Sequence, residues 1–272
     1  MNTDVRTADV TEDVEVLYRD GIVAHRGAYA REVVLGIAED VDHAFAEART
    51  REGGVVGRGP NRFYSEIHPE QLRNFVDLVT QPWVEAVCET VLGPDYQIVE
   101  VGFDVPLPGA KDQPWHRDFP SSHGRDGRRL TSLAFNLTLV DTTADMGPLE
   151  IAPGTQWDDA EDFDHGMFPG PAWHQRYADL ATRKMPQIGD VSARSALTIH
   201  RGTANHSDKS RPVLVLGVDS PGAGNAEQHD MAVTRGFHDA LPERVRRHLV
   251  CPVVDELVPI VQKHTIEGLV MG

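Results

Sequence analysis

The sequence predicts a mainly β domain with flanking helices, built on a jelly-roll core, and three observations carry that expectation. Between residues 97 and 218 short apolar runs recur, separated by Pro/Gly turns, which is the pattern of a sandwich or barrel. Segments with helical apolar spacing lie before and after this stretch. The composition is ordinary for a globular chain of 272 residues, with 40% hydrophobic, 25% charged and 7% aromatic positions.

Taken in order, residues 1–14 are polar and unpatterned and are expected to be flexible. Residues 15–93 read as a helical flank. From Tyr29 to about Glu52, Val33, Val34, Ile37, Val41 and Phe45 fall on one helical face. Gly53, Gly54, Gly57, Gly59 and Pro60 then make a loop. A second helical stretch from about Pro69 to Leu92 buries Leu72, Phe75, Leu78, Val84, Val87 and Val91, and Pro82 is expected to interrupt it. After Gly93-Pro94 come β-type runs at 97–105, 130–140, 148–152, near 189–199 and at 212–218. They place the jelly-roll core at 94–220, with an insert at 157–185. Residues 221–272 read as a helical C-terminal segment, with helices at 236–250 and about 255–265. The whole, 1–272, is expected to be one domain.

Charge narrows the function. With 26 basic against 42 acidic residues the net charge is −16, and no Lys/Arg cluster is available to hold phosphates, so no nucleic-acid partner is expected. No run of 18 apolar residues exists, so no membrane span is expected. The N-terminus lacks a basic-then-apolar leader pattern. Cys88 and Cys251 sit singly in apolar contexts, as reduced core residues do. A cytoplasmic protein acting on a small molecule is the expectation; oligomeric state leaves no mark on the sequence.

Of thirteen histidines, those near 116 and 200 stand out. In Gln113-Pro114-Trp115-His116-Arg117-Asp118, side chains two apart on an extended backbone point to one side, so His116 and Asp118 can converge. An imidazole and a carboxylate are two thirds of the facial triad that holds non-heme Fe(II). The spacing alone does not select them, because His206-Ser207-Asp208 repeats it. A β-run ends at His200, a Gly/Asn/Ser-rich turn follows, and the chain returns at 212–218. That is hairpin-like and would set Arg211 beside His200. On the 130–140 run Leu133, Phe135, Leu137 and Leu139 share one face, while Ser132, Ala134, Asn136 and Thr138 share the other. A face of small and polar groups leaves room inside a barrel for a polar ligand.

This set resembles the phytanoyl-CoA dioxygenase family: His-x-Asp, the loop Arg201-Gly202-Thr203-Ala204-Asn205-His206-Ser207 behind a second histidine, and Arg211 eleven residues after His200. Met146 to Thr155 is similar to the family's N-G-x-L-x-x-x-P-G-[ST] turn, with Met146 in place of asparagine. The resemblance implies an Fe(II)- and 2-oxoglutarate-dependent oxygenase on a double-stranded β-helix, cupin-like core. It implies that His116, Asp118 and His200 bind Fe(II) and that Arg211 pairs with the distal carboxylate of 2-oxoglutarate. It also makes Asn136 and Thr203 further cosubstrate contacts, each with an equally open structural role. Iron, Asp118, the cosubstrate dianion and Arg211 together are neutral, which makes their burial tolerable. The implied reaction consumes O2 and 2-oxoglutarate and releases succinate and CO2. Because Asp118 is present, hydroxylation is favoured over halogenation.

In the insert, Trp157, Phe163, Phe168, Trp173, His174 and Tyr177 are candidate walls of a substrate pocket, or simply aromatics packed down. Asp158, Asp159, Glu161, Asp162 and Asp164 could draw a cationic substrate or form a solvated face. Arg62, Tyr64, Phe119, Ser121 and His123 are candidate mouth-loop residues. The expected role is hydroxylation of a small metabolite's C–H bond in bacterial natural-product biosynthesis; arginine outnumbers lysine 22 to 4, as in a GC-rich source. A non-catalytic jelly-roll binding protein and a cupin-like metal enzyme of another reaction class are the alternatives.

Overall fold

A computed structural model describes residues 9–120, 124–158 and 162–263. Ser121, His123, Asp159 and Glu161 lie outside the described residues, as do residues 1–8.

The chain opens with α1 (Thr11–Asp20), β1 (Ile22–His25), α2 (Arg31–Ala48), β2 (Val56–Gly57) and β3 (Arg62–Glu66). Next come α3 (Phe75–Val79), α4 (Pro82–Val91) and β4 (Gln97–Pro106), and a small hairpin of β5 (Arg125–Asp126) and β6 (Arg129–Leu130). The central part holds β7 (Ser132–Thr138), β8 (Leu149–Ile151), α5 (Pro171–Leu180), β9 (Thr182–Lys184), β10 (Val191–Ser195), β11 (His200–Gly202) and β12 (Val213–Asp219). The chain continues through β13 (Val233–Thr234), α6 (Arg235–Ala240), α7 (Glu243–Arg246) and β14 (Val253–Val254).

Two antiparallel sheets form the core. The larger runs β1-β10-β7-β12-β4-β3-β2 and the smaller β11-β8-β9. The helices cover the outer face of the larger sheet: Val34, Ile37 and Val41 of α2 and Val84 and Val87 of α4 share one core with Leu133, Phe135, Leu137, Leu214 and Leu216. Pro82 is the first residue of α4, where its missing N–H costs nothing, and the Gln81 side chain accepts from the Trp83 and Val84 amides. The inner face carries Ser132, Ala134, Asn136 and Thr138, and with the smaller sheet it encloses a cavity of about 1010 Å³. The predicted division of the 130–140 run into two faces is what the structure has.

Several expectations are corrected. The flank 15–93 is not purely helical: β1 pairs with β10 and β3 pairs with β4, so this segment supplies three strands of the larger sheet. Residues 11–14, expected to be flexible, are the first turn of α1; the Asp9 carboxylate accepts from the Thr11 amide, and Trp83 Nε1 donates to Asp13 at 2.7 Å. Residues 236–250 are two short helices separated at Pro242, which lacks the N–H that a continuous helix needs. Residues 255–263 are not helical. Pro259 interrupts them, and Gln262 instead bonds both the amide and the carbonyl of Glu66, pinning the segment along β3. The insert at 157–185 carries regular structure of its own, α5 and β9, and β9 pairs with β8 in the smaller sheet.

The hairpin expected between His200 and Arg211 does not form. β11 pairs with β8 in the smaller sheet, whereas β12 lies between β4 and β7 in the larger one. The connecting turn crosses between sheets and is held by buried Asn205, whose amide donates to the Pro106 and Lys209 carbonyls and whose oxygen accepts from the Ser207 amide and hydroxyl. Among the described residues no helix is long and apolar enough to cross a membrane.

Candidate active site

Residues 113–118 run antiparallel along the free edge of β11. The Gln113 amide donates to the Gly202 carbonyl, the His116 and His200 amides donate to each other's carbonyls at 3.0 and 2.9 Å, and the Asp118 amide donates to Ala196. This pairing sets the two imidazoles side by side, with ring centres 4.4 Å apart and planes tilted by 47°. The alternation predicted for His116 and Asp118 then brings the carboxylate to the same point, with Asp118 Oδ1 3.5 Å from His200 Nε2. One donor atom from each of the three lies within 4.8 Å of the others. Arg117, between them, is buried against the ring of Phe163.

The donors are prepared for a cation. His116 Nδ1 donates to the Pro114 carbonyl and His200 Nδ1 to the Thr198 carbonyl, both at 2.9 Å. A carbonyl can only accept, so each Nδ1 carries the proton and each Nε2 keeps its lone pair; Arg194 Nη1 also lies 3.3 Å from His200 Nδ1, a longer approach than the 2.9 Å carbonyl bond that sets this tautomer. Burial pushes His116 down to about 4 and outweighs the pull of Asp118. Burial, with the positive charge of Arg194 nearby, holds His200 well below the usual imidazole range. For Asp118 burial acts upward, but Arg194 and the two imidazoles overcome it and bring the carboxyl to about 2. At neutral pH the cluster is therefore two neutral imidazoles and one carboxylate, the donor chemistry of the 2-His-1-carboxylate iron site.

Arg211 lines the same cavity. Its Nε donates to the Gly147 carbonyl at 3.0 Å, so the 146–155 turn and the loop after His200 meet at this guanidinium. Burial lowers it to about 10, so it remains a cation at neutral pH. Gly147 has φ +74°, and a Cβ there would lie 2.5 Å from the Thr203 carbonyl; the position requires glycine. Beside Arg211 the structure places Arg62, 1% exposed, with Nη1 3.2 Å from Asp104 Oδ2 and Nη2 donating to the Thr203 carbonyl. Arg62 and Tyr64 belong to β3 rather than to a mouth loop.

The other expected residues divide. Asn136 is half-buried in the cavity wall, and Phe119 lines it too. Thr203 does not line it; its hydroxyl donates to the Pro148 carbonyl at 2.6 Å, a bond within the loop. Of the six insert residues named above, only Phe168 faces the cavity, stacked 6.0 Å from the His116 ring. Phe163, Trp173 and Tyr177 pack instead with Trp115 and Ile199, Trp157 stacks on Tyr18, and His174 bonds the Pro169 carbonyl. Asp158 is committed to Arg176 and the Tyr177 hydroxyl. His206 and Asp208 are exposed and stand apart from the triad. Arg194 and Asp104 escaped the sequence reading, although inward alternation along 189–199 could have flagged Arg194.

The sequence matches the phytanoyl-CoA dioxygenase family over residues 17–213, a span that takes in His116, Asp118, His200 and Arg211. The chain belongs to the phytanoyl-CoA dioxygenase family. It is 25% identical over 200 residues to the dioxygenase AndF of Emericella variicolor, covering 69% of this chain; the chain spans 58% of that curated relative's length. Solved structures share the fold. The α-ketoglutarate-dependent carbocyclase SnoK from nogalamycin biosynthesis aligns with TM-score 0.62 at 17% identity, over 80% of this chain and 89% of its own. EctD from S. alaskensis, solved with 2-oxoglutarate and 5-hydroxyectoine, aligns with TM-score 0.63 at 16% identity, over 81% and 79%. HygX from Streptomyces hygroscopicus, solved with nickel and 2-oxoglutarate, aligns with TM-score 0.57 at 13% identity, over 79% and 89%. These likenesses support the expected double-stranded β-helix core of this family member.

Proposed function

We propose that this chain is an Fe(II)- and 2-oxoglutarate-dependent dioxygenase that hydroxylates a C–H bond of a small metabolite, releasing succinate and CO2. The observation that carries the reading is one cavity holding both the His116–Asp118–His200 donor set and the buried guanidinium of Arg211. His116 Nε2, Asp118 Oδ1 and His200 Nε2 would hold the iron, which when bound supplies the O2 chemistry that no side chain can. Arg211 binds the distal carboxylate of 2-oxoglutarate through its planar fork. Asn136 offers a further polar contact from β7, the strand that pairs with β12. Phe168 and Phe119 present apolar surface beside the triad, which excludes water and seats the target carbon. We infer a cytoplasmic role in bacterial natural-product biosynthesis; SnoK, which shares the fold, comes from nogalamycin biosynthesis.

Anaerobic titration with Fe(II) and 2-oxoglutarate is expected to raise a metal-to-ligand charge-transfer band in the wild type that is lost in His116→Ala and Arg211→Ala. Its absence from wild type would overturn the proposal. Metal-dependent succinate formation then separates an oxygenase from a binding protein, and turnover without O2 would point to another class of metal enzyme.

A further inference from the structure

Arg194 is a buried charge that the reading above leaves without a task. We propose that it is the positioning residue for Asp118, gripping Oδ2 so that Oδ1 alone is presented beside the imidazoles; this rests on the triad being an iron site. Arg194 sits inside β10, in register with Ala134 of β7 on one side and Ile22 of β1 on the other, so its backbone cannot shift independently. The side chain is 6% exposed, with Nη2 2.8 Å from Asp118 Oδ2 and Nη1 donating to the Ser195 carbonyl at 3.3 Å. Two residues further on, the Ala196 carbonyl accepts from the Asp118 amide at 2.9 Å. The end of β10 therefore fixes both the backbone and the carboxylate of Asp118.

The division of labour between the two oxygens has a consequence. A carboxylate can bind a cation through one oxygen or both. An ungripped Asp118 could rotate and occupy two positions on one ion, one of which the cosubstrate or O2 requires. With Oδ2 engaged by a forked, always-charged guanidinium, rotation breaks a charge-assisted hydrogen bond. The Nε of Arg194 is buried with no partner, and Nη1 reaches the Ser195 carbonyl and lies 3.3 Å from His200 Nδ1, so the shortest polar contact of the guanidinium is the one to Asp118.

The test uses Co(II) as the probe, titrated into the metal-free protein, followed by the anaerobic Fe(II)–2-oxoglutarate band. Removal of a group that orients a metal ligand typically weakens metal binding about 10–100-fold. Arg194→Gln, checked for a folded far-UV spectrum, is expected to show a loss of that size and a shifted band. Wild-type affinity with an unchanged band would overturn the proposal, even if the variant is less stable, because Arg194 would then be a purely structural ion pair. Should Arg194→Gln not fold, Arg194→Lys decides. One ammonium cannot span both Asp118 Oδ2 and the Ser195 carbonyl, so weaker Co(II) binding is expected and wild-type values overturn the claim. If wild type itself binds no Co(II), the iron-site reading falls and this inference falls with it.

Discussion

His116 and His200 each commit one ring nitrogen to a carbonyl two residues back in their own chain, so the other nitrogen faces the cavity whether or not a ligand is there. Keeping these rings neutral makes the metal-free protein sensitive to acid. His116 titrates at about 4 in the fold against 6.5 for an ordinary imidazole. Between those values the unfolded chain takes up protons that the folded chain refuses, so stability falls as pH drops through that window. Denaturant midpoints of the metal-free protein at pH 7, 5.5 and 4.5 are expected to decline, and His116→Gln should flatten the decline; an equal slope in both would contradict the assignment. At Arg211 geometry matters beyond charge. Arg211→Lys keeps a cation but loses the fork, so 2-oxoglutarate affinity is expected to drop about tenfold while Co(II) affinity stays unchanged, both read by calorimetry.

The strands decide which polar groups meet. β3 places Arg62, Tyr64 and Glu66 on the cavity side, next to Glu100 and Asp104 of β4. Such inward polarity is why no apolar alternation marks β3 as a strand. β1 is only four residues long. Gly202 of β11 lies against the Arg62 guanidinium, and a Cβ there would come within 2.4 Å of Nη1. Arg62 cannot yield cheaply, because Asp104 and the Thr203 carbonyl hold it. Gly202→Ala is therefore expected to cost about 1–3 kcal/mol, measured as a lower denaturant midpoint, with weaker 2-oxoglutarate binding alongside. Stability equal to wild type would show that the Arg62 pair is looser than the structure has it. His229 acts in the opposite pH sense to the triad. Burial alone would lower it, but Glu100 and Glu66 raise it. Its contribution is full below the ordinary imidazole value and is lost as pH rises through the raised one.

For the whole molecule, the barrel is a sheet sandwich whose outer face is a conventional apolar core and whose interior is deliberately unfilled. Such a fold gains from its ligands. A ligand present at 100 times its dissociation constant adds about 2.7 kcal/mol per site, so Fe(II) with 2-oxoglutarate under anaerobic conditions is expected to raise the melting temperature by several degrees. No rise would mean that the cavity does not bind them. The core of the site was legible at this scale because it depends on local patterns: His116 and Asp118 through strand alternation, and the two faces of 132–138 through the same period of two. Arg211 was found through the resemblance to the family, which carries an arginine eleven residues after the second histidine; the hairpin expected to bring the two together does not form.

The sequence by itself determined the amphipathic helix at 31–48, the core strands at 97–106, 132–138 and 213–219, the convergence of His116 and Asp118, and the polar face of β7, since each follows from backbone periodicity and side-chain chemistry within a few residues. Only the tertiary structure decided which sheet β11 and β12 join, that residues 22–25 and 62–66 are strands, that the insert's aromatics are packed away, and that Arg194 grips Asp118. Those outcomes turn on strand partners far apart in the chain, and pairing energy is similar for many registers until burial of a whole face selects one.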